Sequence, residues 1–310
     1  MRILLCGAGS IGIRHGKNLL SLKNDIAYFT KKKEIFLKKK IQTFVNLDQG
    51  IKKFKPNILF VTNETSKHID TAFYAAKYNL DVFIEKPISN KINKVKSLIK
   101  ILEKKKLINM VGYMLRFHPA FKIIQNIIIT KKLGRIIHFY SEWGEYLPNW
   151  HIGENYKKSY AANKSLGGGV GLTLSHDLDI IVHLFGKIEY IKKEISNQGL
   201  KIKAETNANF FLKFKNGISG LIHVDYIQNK TSRYLRIIGK KKTLEFFYLK
   251  NLIKIISGKK IKVIKFKNFS RNQMFLDELK YFLKNCKLRR KCEPTIHSSF
   301  YLLKNAKLIK

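Results

Sequence analysis

Cys6-Gly7-Ala8-Gly9-Ser10-Ile11-Gly12 carries the spacing G-x-G-x-x-G directly after an apolar run over 2–6 and directly before a helical pattern over 10–22. Strand, glycine turn and helix in that order open a dinucleotide-binding α/β fold. Gly7 permits the tight turn, Gly9 lets a pyrophosphate approach the backbone, and Gly12 lets the helix pack on the strand. Ser10 and Ile11 then begin a helix whose first N–H groups face the phosphates. A plain glycine turn gives the same spacing, and the flanking strand and helix argue against it.

The next hundred residues continue that grammar. Apolar runs at 25–30, 41–45, 58–62, 81–85 and 107–112 read as strands, with helical patterns at 66–79 and 91–106. Such alternation predicts a mainly parallel sheet with helices on both faces. After Gly112 the pattern changes. A helix at 118–130 and a strand at 134–143 lead into a polar, aromatic loop at 145–165, and 172–185 reads as a helix. Strands then follow one another from 187 to 266, with a hairpin turn at Asn216-Gly217, before helices at 272–284 and 295–310. Consecutive strands predict an antiparallel sheet. The expected fold class is α/β, with a doubly wound parallel Rossmann domain over 1–118. An α+β domain over 119–310 would bind substrate and mediate self-association.

The formal charge of +40 invites a nucleic-acid reading. Of the 61 basic residues, however, 52 are lysine and nine arginine, spread along the whole chain. Base readers rely on arginine forks, so we expect solvated lysines, no nucleic-acid partner, and a charge that suits a phosphorylated substrate. No apolar run is long enough to span a bilayer, so no membrane insertion is expected. Three cysteines make no disulfide framework and suit a reducing cytoplasm. No metal-ligand spacing occurs.

The end of the second strand bears on cofactor choice. NAD sites place a carboxylate there for the ribose 2′-hydroxyl. This chain has Thr30 and Lys31, then two more lysines, with no carboxylate before Glu34. A hydroxyl and ammonium groups favour NADP over NAD.

Further motifs stand in order along the chain: Gly9-Ser10-Ile11-Gly12-Ile13-Arg14-His15, Thr62-Asn63-Glu64-Thr65-Ser66-Lys67-His68, Glu85-Lys86-Pro87, Gly112-Tyr113-Met114-Leu115-Arg116-Phe117-His118-Pro119, Gly167-Gly168-Gly169-Val170 and Ser175-His176-Asp177-Leu178-Asp179. Together they resemble the Gfo/Idh/MocA oxidoreductase family, over nearly the whole chain. The resemblance implies that the large antiparallel sheet is open, that the nicotinamide binds between the domains, and that the chain forms a homodimer or homotetramer. It implies a sugar, cyclitol or nucleotide-linked sugar as substrate. The sub-pattern around Arg14-His15 and Ser175-His176 looks like members linked to surface-polysaccharide biosynthesis.

Dehydrogenation of a hydroxyl needs a base for its proton and a cation or donor for the developing alkoxide. The resemblance assigns Lys86 and His176 to these tasks and places Glu85 near the nicotinamide ribose. It puts Thr62, Asn63 and His68 on the cofactor side, although His68 reads equally as a surface helix residue. Asp179, three residues after His176, shares its helix face. It can orient the imidazole, bind a substrate hydroxyl, or be a plain surface carboxylate. Tyr113 and Arg116 are expected to face substrate and cofactor, or else to serve as an aromatic plug and a structural ion pair. Trp150, His151, Tyr156, Lys157 and Tyr160 sit in the loop suited to sugar stacking. The chain departs from many members at Leu172, where they carry an aspartate one turn before the histidine. Either His176 and Lys86 suffice, or Asp177 or Asp179 substitutes, or the chain has kept the nucleotide fold as a binding or regulatory protein without catalysis.

Overall fold

A computed structural model describes residues 1–37, 39–150, 153, 155–267 and 269–309; His151 lies outside them. The chain divides into two compact units, Met1–Tyr113 with Phe275–Tyr301, and Met114–Met274 with Leu302–Leu308.

The first unit holds β1 (Arg2–Cys6), β2 (Asp25–Phe29), β3 (Ile35–Leu37), β4 (Lys39–Phe44), β5 (Ile58–Val61), β6 (Asp81–Glu85) and β7 (Asn109–Gly112). Helices α1 (Ser10–Ser21), α2 (Leu47–Phe54), α3 (His68–Lys77) and α4 (Val95–Lys104) connect them. The sheet order is β3-β4-β2-β1-β5-β6-β7, parallel throughout except for the β3–β4 hairpin. β5 is buried at all four positions and reads as an unbroken apolar run, as a strand covered on both faces must. The chain leaves β1 toward β2 on one side and β5 on the other. That reversal puts a topological switch point between the carboxyl ends of β1 and β5, where open α/β sheets bind ligands, with the end of β6 next to that of β5.

Two more helices, α8 (Arg271–Leu288) and α9 (Ile296–Asn305), follow the second sheet. The expected division into 1–118 and 119–310 differs from the observed one here, because most of this tail rejoins the first unit. Phe282 meets Phe60 and Phe83 edge-on at 5.8 and 5.5 Å, and Arg289 donates to Asp81 at 2.6 Å. The Val111 N–H donates to the Pro294 carbonyl at 2.9 Å.

The second unit opens with α5 (Pro119–Ile129) and β8 (Ile136–Tyr146). The helix expected at 172–185 is two, α6 (Val170–Thr173) and α7 (His176–Phe185). The strands are β9 (Ile188–Ser196), β10 (Asn207–Phe214), β11 (Ser219–Asp225), β12 (Ile227–Gly239), β13 (Thr243–Phe247), β14 (Leu252–Ser257) and β15 (Lys260–Lys265). They form one sheet in the order β15-β14-β13-β12-β8-β11-β10-β9. It is antiparallel apart from the β8–β11 pair. Gly217, at φ +84°, makes the tight turn between β10 and β11. Phe185 on α7 packs over the sheet against Phe139 and Phe214, at 5.2 and 5.7 Å.

His118 caps α5, its Nδ1 accepting the Ala120 N–H at 3.1 Å. Its ring sits among Phe121, Phe246, Tyr248, Phe266 and Phe269. Burial lowers its pKa to about 4; a hydrogen bond with Asn251 opposes the shift and the Arg233 charge adds to it. Below the ordinary imidazole value, the unfolded chain takes up a proton that the folded chain refuses. The stabilisation is therefore complete above that value and is lost as pH falls toward 4, by up to about 3 kcal/mol. Urea denaturation across that range should show a steep loss in the wild type and a shallower one in His118→Asn, which keeps the cap acceptor. Equal slopes would contradict the assignment.

Candidate active site

The glycine turn is built as its spacing requires. Gly7 has φ +117°, and a Cβ there would lie 2.7 Å from the Asn63 nitrogen and the Thr62 carbonyl oxygen. At Gly12 a Cβ would sit 2.2 Å from the Gly7 carbonyl oxygen, so α1 can approach β1 only with a glycine. At Gly9 a Cβ would meet nothing within 4 Å. Gly9 caps α1 without a side-chain hydrogen bond, Gly9 and Ser10 are exposed, and the first turn holds no acidic residue. An open approach to a bare helix N-terminus fits the pyrophosphate of a dinucleotide. The Tyr28 hydroxyl donates to the Gly12 carbonyl at 2.9 Å and locks α1 on β2.

Thr62 and His68 are both held by contacts inside the protein. The Thr62 hydroxyl lies 2.9 Å from the Gly7 carbonyl and 3.2 Å from that of Cys6, so its single proton is used inside the turn. His68 is buried, with Nδ1 2.8 Å from the Pro87 carbonyl and Nε2 3.0 Å from the Asn63 carbonyl. Both ring nitrogens face backbone carbonyls, and the burial rules out a surface helix residue. Burial lowers the His68 pKa, and the two carbonyls, Glu85 and Glu64 pull against it. The Asn63 amide donates to Thr71 at 2.9 Å.

Beside that turn, the Gly7 N–H donates to the Phe29 carbonyl at 3.0 Å, which brings the end of β2 alongside. Thr30 accepts the Lys32 N–H at 3.2 Å, Lys31 is exposed, and Glu34 is paired with Lys40 at 2.8 Å.

Lys86 follows the last residue of β6, and Glu85 stands opposite Gly112 of β7. The Glu85 carboxylate is buried. Its Oε1 lies 2.6 Å from His15 Nε2, and its Oε2 accepts the Lys86 backbone N–H at 3.1 Å. His15 was absent from the residues expected at the site. Its signal was its place three residues after Gly12, one helical turn further into the fold. Tyr113 is fully buried, as an aromatic plug would be.

In the second unit, His176 opens α7 and is buried, with its ring 6.0 Å from that of Trp143. The acids beside it are held by arginines. Arg116 forks onto Asp179 through Nε and a terminal nitrogen, both at 2.7 Å, with the side chains 14% and 2% exposed. Asp179 is therefore no surface carboxylate, and the Arg116 fork belongs to an ion pair. Asp177 accepts from Arg233 at 2.5 Å and from Ser141 at 3.2 Å. Burial raises the Asp177 pKa against the opposing pull of Arg233 and Ser141. Arg233 also lies 3.8 Å over the Trp143 ring. Leu172 is buried in α6, in a different helix from His176. Of the loop aromatics, Trp150 packs edge-on against Tyr226 at 5.4 Å, Tyr156 is half-buried, and Tyr160 is 39% exposed. Among the described residues no cluster of histidine, cysteine and carboxylate could hold a metal, and no helix is long and apolar enough to cross a membrane.

Comparison with known proteins agrees with this arrangement. Residues 1–113 match the model of an oxidoreductase family with an NAD-binding Rossmann fold, and 121–245 match a C-terminal domain model of the same family. A levoglucosan dehydrogenase of Pseudarthrobacter phenanthrenivorans is 26% identical over 145 residues, which cover 46% of this chain and 36% of that protein. The match thus spans about a third of that relative. A myo-inositol 2-dehydrogenase of Thermotoga maritima is 23% identical over 239 residues, 72% of this chain and 67% of its own. Among solved structures, levoglucosan dehydrogenase in complex with NADH and levoglucosan shares the fold at a TM-score of 0.85 and 14% identity, covering 100% of this chain and 96% of that one. A UDP-N-acetylglucosamine 3-dehydrogenase from Acidithiobacillus ferrooxidans does so at 0.81 and 16%, covering 100% and 96%. The chain belongs to the Gfo/Idh/MocA family of oxidoreductases, with an NAD-binding Rossmann domain followed by the family's C-terminal domain.

Proposed function

We propose that this protein is an NAD(P)-dependent dehydrogenase or reductase acting on a hydroxyl or carbonyl of a sugar, cyclitol or nucleotide-linked sugar. The observation that carries the proposal is the place of Lys86, at the carboxyl end of β6, a parallel strand paired on both sides, in the unit that also holds the glycine turn. A bound nicotinamide supplies the hydride acceptor or donor. The Lys86 ammonium stabilises or protonates the reacting oxygen, and the His176 imidazole takes up or returns the hydroxyl proton. The Arg116–Asp179 and Arg233–Asp177 pairs fix the first turn of α7, and with it the His176 ring. Asp177 and Asp179 are thus positioning groups, and the aspartate absent at Leu172 is left without a substitute. Gly9, Ser10, Ile11 and Asn63 hold the dinucleotide, Glu85 accepts from its ribose, and Trp150, Tyr156 and Tyr160 face the substrate.

NADP is favoured because Thr30 and Lys31 follow β2 and the nearest carboxylate, Glu34, is engaged with Lys40. A nucleotide-linked sugar in surface-polysaccharide biosynthesis suits the motif resemblance and the likeness in fold to a UDP-N-acetylglucosamine dehydrogenase. Self-association suits the second sheet, which leaves Phe211 and Ile227 well exposed. Three buried, free thiols suit the cytoplasm. Fluorescence titration tests the cofactor assignment. NADPH should bind more tightly than NADH, and Lys31→Glu should reverse the order, through a change of about tenfold. Equal affinities in the wild type would remove the NADP preference.

A further inference from the structure

We propose that His15 and His68 are positioning residues for Lys86, each anchoring one of its two chain neighbours. The inference rests on the reading of Lys86 given above. On one side His15, from α1, holds the Glu85 carboxylate at 2.6 Å, and the other oxygen of that carboxylate takes the Lys86 backbone N–H at 3.1 Å. On the other side His68, from α3, reaches the Pro87 carbonyl at 2.8 Å through Nδ1. The opposite nitrogen of the same ring reaches the Asn63 carbonyl at 3.0 Å, in the loop after β5. The chain is thus gripped immediately before and after Lys86, and the second grip ties it to the cofactor-side loop.

Packing alone does not account for these rings. His15 lies in a cage of Phe60, Phe83 and Phe275, at 5.9, 5.3 and 5.9 Å, and its Nδ1 has no hydrogen-bond partner among the described residues. A buried nitrogen without a partner is destabilising, a cost that a phenylalanine in that aromatic cage would avoid. What the imidazole adds is one bond, and that bond goes to Glu85. His68 has the same character: both of its polar atoms reach backbone carbonyls that flank functional residues. A carbonyl oxygen only accepts, so a neutral His68, with its one ring N–H, donates to one of the two carbonyls, the Pro87 anchor being the form with the proton on Nδ1, and only the protonated ring donates to both. Displacing a reacting group by about 1 Å can lower a rate by ~100-fold, which makes two anchors beside a single lysine consequential.

Asparagine mimics the Nδ1 edge of histidine and glutamine the Nε2 edge, so the two grips of His68 can be separated in the full-length protein. Hydrogen exchange is measured on peptides spanning 61–66 and 84–90, without cofactor. His68→Ala should speed exchange in both by about tenfold or more while other segments stay as in the wild type. His68→Asn should restore protection at 84–90 alone, and His68→Gln at 61–66 alone. With cofactor and substrate, His68→Asn should recover most of the kcat lost in His68→Ala, about 10- to 100-fold. His68→Gln should recover nicotinamide affinity but not kcat. For the other anchor, His15→Phe should loosen 84–90, and His15→Gln should restore it. Faster exchange throughout the chain, or equal losses of kcat and affinity in all the His68 variants, would reduce these histidines to parts of the core and overturn the proposal. A wild type that turns over nothing overturns the catalytic reading instead, and the exchange data still decide the anchoring.

Discussion

Lys86→Ala is expected to bind NADH and NADPH within about threefold of the wild type and to lose turnover by ~1000-fold, a barrier increase of about 4 kcal/mol. The size of the effect follows from what the ammonium does. A developing alkoxide needs an opposing charge, and Lys86 is the cation that directly follows β6. With 52 lysines in the chain, the opposing expectation is a solvated side chain whose removal changes nothing. Lys86→Arg separates two versions of the role. Arginine keeps the charge but does not release a proton in proteins. Partial recovery in Lys86→Arg would mark electrostatic stabilisation, and none would mark proton transfer. Turnover of Lys86→Ala within tenfold of the wild type, measured with saturating cofactor, would remove Lys86 from the chemistry.

The second large effect separates binding from folding within one motif. Gly9→Ala should leave folding stability within about 0.5 kcal/mol of the wild type, because the new methyl meets no atom within 4 Å and the backbone, at φ −72° and ψ −176°, suits alanine. Its affinity for nicotinamide dinucleotides should nevertheless fall by about 10- to 100-fold, since the methyl occupies the approach of the pyrophosphate. Gly12→Ala should do the reverse first. Its methyl would fall 2.2 Å from the Gly7 carbonyl oxygen, which is backbone, so α1 must shift at a cost of about 2–3 kcal/mol. Thermal unfolding and nucleotide titration of both variants read the two quantities side by side. Unchanged affinity in Gly9→Ala would place the phosphates elsewhere.

Much of the first unit was legible because local rules and the tertiary structure agree there. The glycine spacing, the apolar runs and the intervening helical patterns are short-range signals, and the row of carboxyl strand ends follows from them. The strand read at 41–45 is β4, but α2, β3 and the hairpin pairing of β3 with β4 were not anticipated: the helix is eight residues long and β3 only three. The return of α8 to the first unit had no local signal, since an amphipathic helix does not state which sheet it will cover. The interruption between α6 and α7 falls at Leu174 and Ser175, with neither glycine nor proline to mark it. Among the candidate site residues, Lys86, Glu85 and His176 are singled out by motifs. The partners of Asp179 and Asp177 lie 63 and 56 residues away, and such pairings become visible only when distant elements are folded together.

Transfer of a label tests the central claim most directly. The protein is incubated with NADH or NADPH deuterated at the reactive nicotinamide carbon and with a panel of keto forms of sugars, cyclitols and nucleotide-linked sugars, and the products are analysed by mass spectrometry. The account predicts deuterium on a single carbon of one substrate class with the wild type, and none above background with Lys86→Ala. Tight nucleotide binding by the wild type without label transfer to any member of the panel would contradict it, and would instead point to a protein that keeps the nucleotide fold for binding or regulation.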